Sequence, residues 1–232
     1  MFGPTQLIVM EFGYDAGGWR VDSHPRFLAD LTGDGRADIV GFADEGVRVA
    51  LNNGDGTFGN QRRALGNFGV YDGWRVDRHP RFLVDLTGDG RADIVCFGDA
   101  GVSAALNNGD GTFQDPQLVV ANFGYGHPDL IENAYGYNLW RVSRHPRFLA
   151  DLTGDGRADI VGFGYVGVRV SLNNGNGTFQ APQLVVANFG YDAGGWRIDR
   201  HPRFLADLTG DGRADIVGFG NDGVWVALNK SP

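Results

Sequence analysis

Four carboxylate-rich loops are the first places where this sequence could do chemistry. Asp30-Leu-Thr32-Gly-Asp34-Gly-Arg36-Ala-Asp38 sets oxygen-bearing side chains at its first, third, fifth and ninth positions, with the Arg36 carbonyl available at the seventh. That spacing can wrap a hard cation such as Ca2+, which takes about 6 to 8 oxygens from carboxylates, carbonyls and water. The loop recurs at Asp85, Thr87, Asp89, Arg91 and Asp93, at Asp151, Thr153, Asp155, Arg157 and Asp159, and at Asp207, Thr209, Asp211, Arg213 and Asp215. No Glu stands at the twelfth position, so it is not an EF-hand. Structural calcium bracing a turn is the expectation, and four such ions would balance the net charge of −8. The competing reading is an Asp-Gly turn whose carboxylates accept backbone amides or pair with the neighbouring Arg.

A second set of residues suits saccharide recognition, which needs a flat aromatic face for the apolar side of a pyranose and convergent donors and acceptors for its hydroxyls. Tyr14 and Trp19 supply aromatic surface, Asp15 and Asp22 acceptors, and Arg20, His24 and Arg26 donors. The equivalents are Tyr71, Asp72, Trp74, Asp77 and His79, then Tyr137, Trp140, Ser143 and His145, then Tyr191, Asp192, Trp196, Asp199 and His201. Trp and His-Pro repeated in this way also suit a packed wedge between repeats. Residue types alone would permit acid-base catalysis, but every candidate is present in four copies and an enzyme needs one asymmetric constellation. No Gly-x-Ser-x-Gly, His-Glu-x-x-His or phosphate-cradling motif occurs.

Both sets belong to a larger unit. The string from His24 to Val40 returns at His79, His145 and His201, and the preceding Trp recurs at spacings of 55, 66 and 56 residues. A period of this size predicts a solenoid or propeller. Thirty-eight glycines among 232 residues favour many short strands. In the first copy, strands are expected over 26–31, 37–42 and 47–51, and Asn53-Gly54 and Asp55-Gly56 supply the positive φ of tight hairpins. A fourth strand is read from Gln117-Leu-Val-Val-Ala-Asn-Phe123, its match from Gln183, and the similar Gln6-Leu-Ile-Val-Met-Glu-Phe12.

The fold class is therefore all-β, a propeller of four-stranded antiparallel blades forming one domain over 1–232. The repeats run over about 13–68, 69–123, 124–189 and 190–232, with 1–12 supplying the strand that completes the last blade. The alternative is a ring of more blades shared by two copies. A longer loop over 125–137 predicts that the third site differs from the others.

Acidic charge with a single Lys argues against nucleic acid as a partner. No apolar run approaches a membrane span, and no basic and apolar leader is visible. A soluble protein, extracellular or exported by an unconventional route, is the expectation, with a cytoplasmic one as the alternative. Cys96 stands where the other repeats have Gly41, Gly162 and Gly218, and reads as a buried thiol without function.

Asp-Leu-Thr-Gly-Asp-Gly-Arg-Ala-Asp-Ile-Val followed by Leu-Asn-Asn-Gly-Asp-Gly-Thr-Phe resembles the FG-GAP/VCBS repeats of integrin α-chain propellers. The fuller string from Asn188 to Leu205 is similar to the fungal lectins of the Psathyrella velutina type. That resemblance implies a multivalent lectin, with glycans or glycoproteins as partners and pockets for N-acetylglucosamine and sialic acid between consecutive blades. Such lectins have seven blades, whereas this chain carries four repeats. The integrin likeness implies instead a calcium-braced protein-interaction module without sugar binding.

Overall fold

The computed structural model describes residues 1–126 and 139–230, and its regular structure among them is entirely β. The first sheet holds β1 (Arg26–Ala29), β2 (Asp38–Ala43), β3 (Gly46–Ala50) and β4 (Arg62–Leu65). The second holds β5 (Arg81–Val84), β6 (Asp93–Phe97), β7 (Val102–Ala105) and β8 (Gln117–Val120). The third holds β9 (Arg147–Ala150), β10 (Asp159–Phe163), β11 (Val168–Ser171) and β12 (Gln183–Val186). The fourth holds β13 (Arg203–Ala206), β14 (Asp215–Gly220) and β15 (Gly223–Ala227). Each is an antiparallel meander in sequence order, the layout of a propeller blade.

The central strands are apolar on both faces because each sheet is covered by the next. Ile94, Val95, Cys96 and Phe97 of β6 are fully buried, as a strand sandwiched between two layers must be. The core accordingly lies between blades. One cluster joins Phe42, Val47 and Phe68 to Ile94 and Cys96, a second joins Phe97 and Phe123 to Trp140 and Ile160, and a third joins Phe163 and Phe189 to Trp196 and Ile216. The outer strand enters through a bulge at Val47/Arg48, repeated at Val102/Ser103 and Val168/Arg169. Gly46, Gly101 and Gly167 occupy positive φ there, and a side chain on any of them would collide with the carbonyl of Leu65, Val120 or Val186.

One expectation is corrected. Residues 6–12 form no strand, and the last sheet has three strands, not four. A strand is stable only with a ladder to join. Here the segment lies at the opposite end of the blade series from β15: Val9 and Phe12 pack against Trp19 and Ala50 of the first blade. Met1, Phe2, Leu7 and Met10 stay exposed, as do Val224 and Val226 on the last sheet. Most of the 125–137 loop, including Tyr137, falls outside the described residues.

Candidate functional site

The repeated motif builds its scaffold from the outer strand inwards. Phe12, Phe68, Phe123 and Phe189 each adopt a positive φ of 59° to 67°, a strained conformation for a bulky residue that its surroundings must enforce. Arg26, Arg81, Arg147 and Arg203 donate to the carbonyls of these phenylalanines at 2.7, 3.2, 2.9 and 3.0 Å. Arg26, expected to face ligand, thus clamps the backbone, as do its equivalents Arg81, Arg147 and Arg203. Three are at most 4% exposed, and burial pushes Arg147 down to about 9 and Arg203 to about 10.

The indoles form the next layer. Trp19, Trp140 and Trp196 are 3%, 2% and 5% exposed and lie against Phe12, Phe123 and Phe189 with ring planes tilted by 34° to 42°. Their outer ring edges occupy the space where Gly41, Gly162 and Gly218 would carry a side chain. They are not open stacking platforms; packing holds them as the floor of a crevice. Cys96 replaces that glycine in the second blade. There the Phe68–Trp74 angle opens to 82° and Trp74 is only partly buried. The thiol is buried as expected, and the indole of this blade takes a different angle to its Phe.

Each histidine stands on its Trp, with ring centroids 5.1 to 5.7 Å apart. Nδ1 of His24, His79, His145 and His201 accepts from the backbone N–H of Arg20, Arg75, Arg141 and Arg197 at 3.0 to 3.1 Å. That contact assigns the proton to Nε2. Nε2 donates to Asp44 at 3.0 Å, to Asp99 at 3.0 Å and to the Asn221 amide oxygen at 2.9 Å. In the third blade Tyr165 takes this place, its ring 4.2 Å from that of His145, and Nε2 has no hydrogen-bond partner among the described residues. Burial, with Arg147 next, drives the His145 imidazole down to about 3; burial also lowers His79.

The following blade supplies the far wall. Tyr125 faces His79 with ring centroids 6.0 Å apart, and Tyr191 faces His145 at 6.2 Å. The first crevice is a cavity of about 320 Å3 lined by Glu11, Trp19, His24, Asp44, Arg48 and Tyr71. The fourth, of about 170 Å3, is lined by Asn188, Trp196, His201, Asn221, Asp222 and Trp225.

Against the residues named from the sequence, the structure brings the Trp and His of one blade together with the Tyr of the next. Asp15, Asp22, Asp72, Asp77, Asp192 and Asp199 lie exposed, away from the two cavities. Tyr14 is exposed beneath the Arg20 guanidinium at 3.7 Å. Arg141 covers Tyr125 at 3.9 Å and Arg197 covers Tyr191 at 3.7 Å, so Tyr125 holds in the third blade the place that Tyr191 holds in the fourth. Asp44, Asp99 and Asn221 were missed, though each sits two residues before the bulge glycine at 46, 101 or 223.

In the acidic loops the carboxylates point at amides. Asp30 accepts from the N–H groups of Thr32, Gly33 and Gly35 at 3.0, 2.7 and 2.7 Å, and Asp85, Asp151 and Asp207 repeat the pattern. For Asp30, Asp85 and Asp151 burial pushes the carboxyl up, but these amides together hold it below the usual range; for Asp207 the Gly212 amide leads in lowering it. Asp34, Asp89, Asp155 and Asp211 pair with Arg36, Arg91, Arg157 and Arg213. Asp38 bridges the N–H groups of Leu31 and Asn52 at 2.8 and 2.7 Å. Among the described residues no three His, Cys, Asp or Glu gather as a metal site. This arrangement is that of the amide-capped turn, and chelation tests whether the loops also take calcium.

Among the described residues no helix is long and apolar enough to cross a membrane. A search of curated proteins found no match. Among solved structures, one showing specific recognition of non-reducing terminal N-acetylglucosamine by an Agrocybe aegerita lectin is 51% identical, with a TM-score of 0.89, and covers 97% of this chain. This chain spans only 54% of that one. A TcdB2–TccC3–Cdc42 structure is 21% identical over 86% of this chain and 8% of its own, with a TM-score of 0.49. The model of the FG-GAP-like repeat matches residues 85–138 and 151–218, more than half of the sequence, and the chain belongs to the FG-GAP-like repeat family.

Proposed function

We propose that this protein is a lectin, binding glycans with a terminal N-acetylglucosamine in the crevices between consecutive blades. The observation that carries this reading is the repeated His-carboxylate pair at the crevice mouth, His24–Asp44 and His79–Asp99 at 3.0 Å, over an indole floor with a tyrosine opposite. The carboxylate retains lone pairs for an acetamido N–H or a sugar hydroxyl, and the aromatic edges suit the acetamido methyl and the apolar ring face. The half-length likeness to the N-acetylglucosamine-binding Agrocybe aegerita lectin supports the same ligand. Arg48, in the first crevice, supplies a cation for the carboxylate of sialic acid.

The geometry favours binding over catalysis. Each Nδ1 is already occupied and each Nε2 carries a proton, so no imidazole is poised as a general base. Several weak crevices on one chain gain avidity on multivalent glycans, by about 10²- to 10⁴-fold where the spacing fits. Calorimetric titration with N-acetylglucosamine tests the reading: binding must be detected and must weaken in Asp44→Ala and Asp99→Ala. Unchanged binding in the combined variant would remove these crevices from the account.

A further inference from the structure

The outer face and edge of the last blade are uncovered, and a segment that complements them is visible elsewhere in the same sequence. Phe42, Phe97 and Phe163 are fully buried by the following blade, whereas their equivalent Phe219 is 46% exposed; Val47, Val102 and Val168 are fully buried, whereas Val224 is 60% exposed. Gly223 keeps the positive φ of Gly46, Gly101 and Gly167, yet no backbone crosses in front of it.

A cavity of about 360 Å3 opens between the third and fourth blades, lined by apolar groups including Leu152, Val170, Leu172, Leu205 and Ile216. At the two preceding interfaces the corresponding place holds Phe113 and Phe179, each bridged to Asn107 or Asn173 and four residues before Gln117 or Gln183. Phe2 stands four residues before Gln6 and is fully exposed.

We infer that residues 2–10 of a second copy of this chain form the fourth strand on β15, with Phe2 seated in that cavity. The register follows from the complete third blade, where Val168 pairs with Val186 and Val170 with Gln183. Val224 then pairs with Val9, and Val226 with Gln6. A strand added to a free edge gains main-chain hydrogen bonds, and its alternate side chains fill pockets.

The open face of the first blade matches the open face of the fourth. Arg81, Arg147 and Arg203 lie over Phe42, Phe97 and Phe163 at 5.3 to 5.5 Å, which leaves Phe219 for Arg26. Arg91, Arg157 and Arg213 cover Gly33, Gly88 and Gly154, while Gly210 has nothing against it, which leaves it for Arg36. The own-chain segment does not reach β15, because Val9 and Phe12 pack on the first blade, at the opposite end of the blade series from the fourth. Two copies exchanging these segments make a two-fold, self-complementary closure. It also completes the fourth crevice by setting Tyr14 opposite His201, as Tyr125 stands opposite His79. That last consequence rests on the lectin reading; the association itself does not.

Light scattering on the full chain without sugar reads the mass directly, with about twice the 25.1 kDa of one chain expected. Phe2→Asp must shift the population to monomer, and since Phe2 touches no core this change does not endanger the fold. Oxidised mixtures of Gln6→Cys with Val226→Cys chains must give a covalent heterodimer in that register. A monomeric wild type, a dimer untouched by Phe2→Asp, or an internally cross-linked monomer from the Gln6→Cys/Val226→Cys double variant would each overturn the inference. Loss of dimer with sugar binding retained, or the reverse, separates its failure from that of the lectin reading.

Discussion

His145 makes this protein acid-sensitive in a way that one substitution removes. Its ring is 1% exposed, stands on Trp140, faces Tyr165 and Tyr191, and is surrounded by Arg147, Arg144, Arg141 and Arg203. Burial, then those cations, lowers it from 6.5 to about 3. Protonation therefore prefers the unfolded chain: the contribution is complete above pH 6.5 and is lost as the pH falls toward 3. At about pH 5 the unfolded histidine is charged and the native one is not, a span of about 1.5 pH units worth about 2 kcal/mol. Asp93 works in the other direction, because burial raises it to about 6 and the native state gains as it protonates, but this cancels between wild type and variant. His145→Gln keeps an acceptor for the Arg141 N–H. Urea unfolding at about pH 8 and pH 5 must show wild type losing about 2 kcal/mol more than the variant. Equal losses would refute a buried, neutral imidazole.

Other outcomes follow from the same packing. Gly162→Cys reproduces the second blade's thiol against Trp140, and should cost about 1–3 kcal/mol in urea titration while exposing the indole to fluorescence quenchers. Since the acidic loops are closed by their own amides, melting in EDTA and in millimolar Ca2+ should coincide; a calcium-dependent rise would show that the carboxylates turn to an ion instead. Tyr165→Asp should supply His145 with the acceptor found at Asp44 and Asp99, and strengthen N-acetylglucosamine binding at the third crevice in calorimetry.

The blades were legible because two signals agree: a long repeat, and Asn-Gly and Asp-Gly turns that admit only tight hairpins. Strand boundaries followed within a residue or two for β2 and β3. The role of Gln6–Phe12 was not legible, because a strand's existence depends on an edge that composition does not locate. The crevices were half legible. Trp and His stand out, but their apolar and polar character fits floor and rim equally, and only the close approach of Gly41, Gly162 and Gly218 shows that the indoles are floor. Counting back from Trp140 across the lengthened loop reaches Tyr137, whereas counting forward from Phe123-Gly124 reaches Tyr125, which faces His79. Asp44 and Asp99 were hidden in what read as an ordinary turn; their meaning depends on a histidine 20 residues away in sequence.

A crystal soaked with N-acetylglucosamine bears most directly on the account. The sugar should lie between consecutive blades, with its acetamido or hydroxyl groups on Asp44 beside His24 and on Asp99 beside His79. Density confined to the blade surface, or a chain that takes up no sugar, would contradict it.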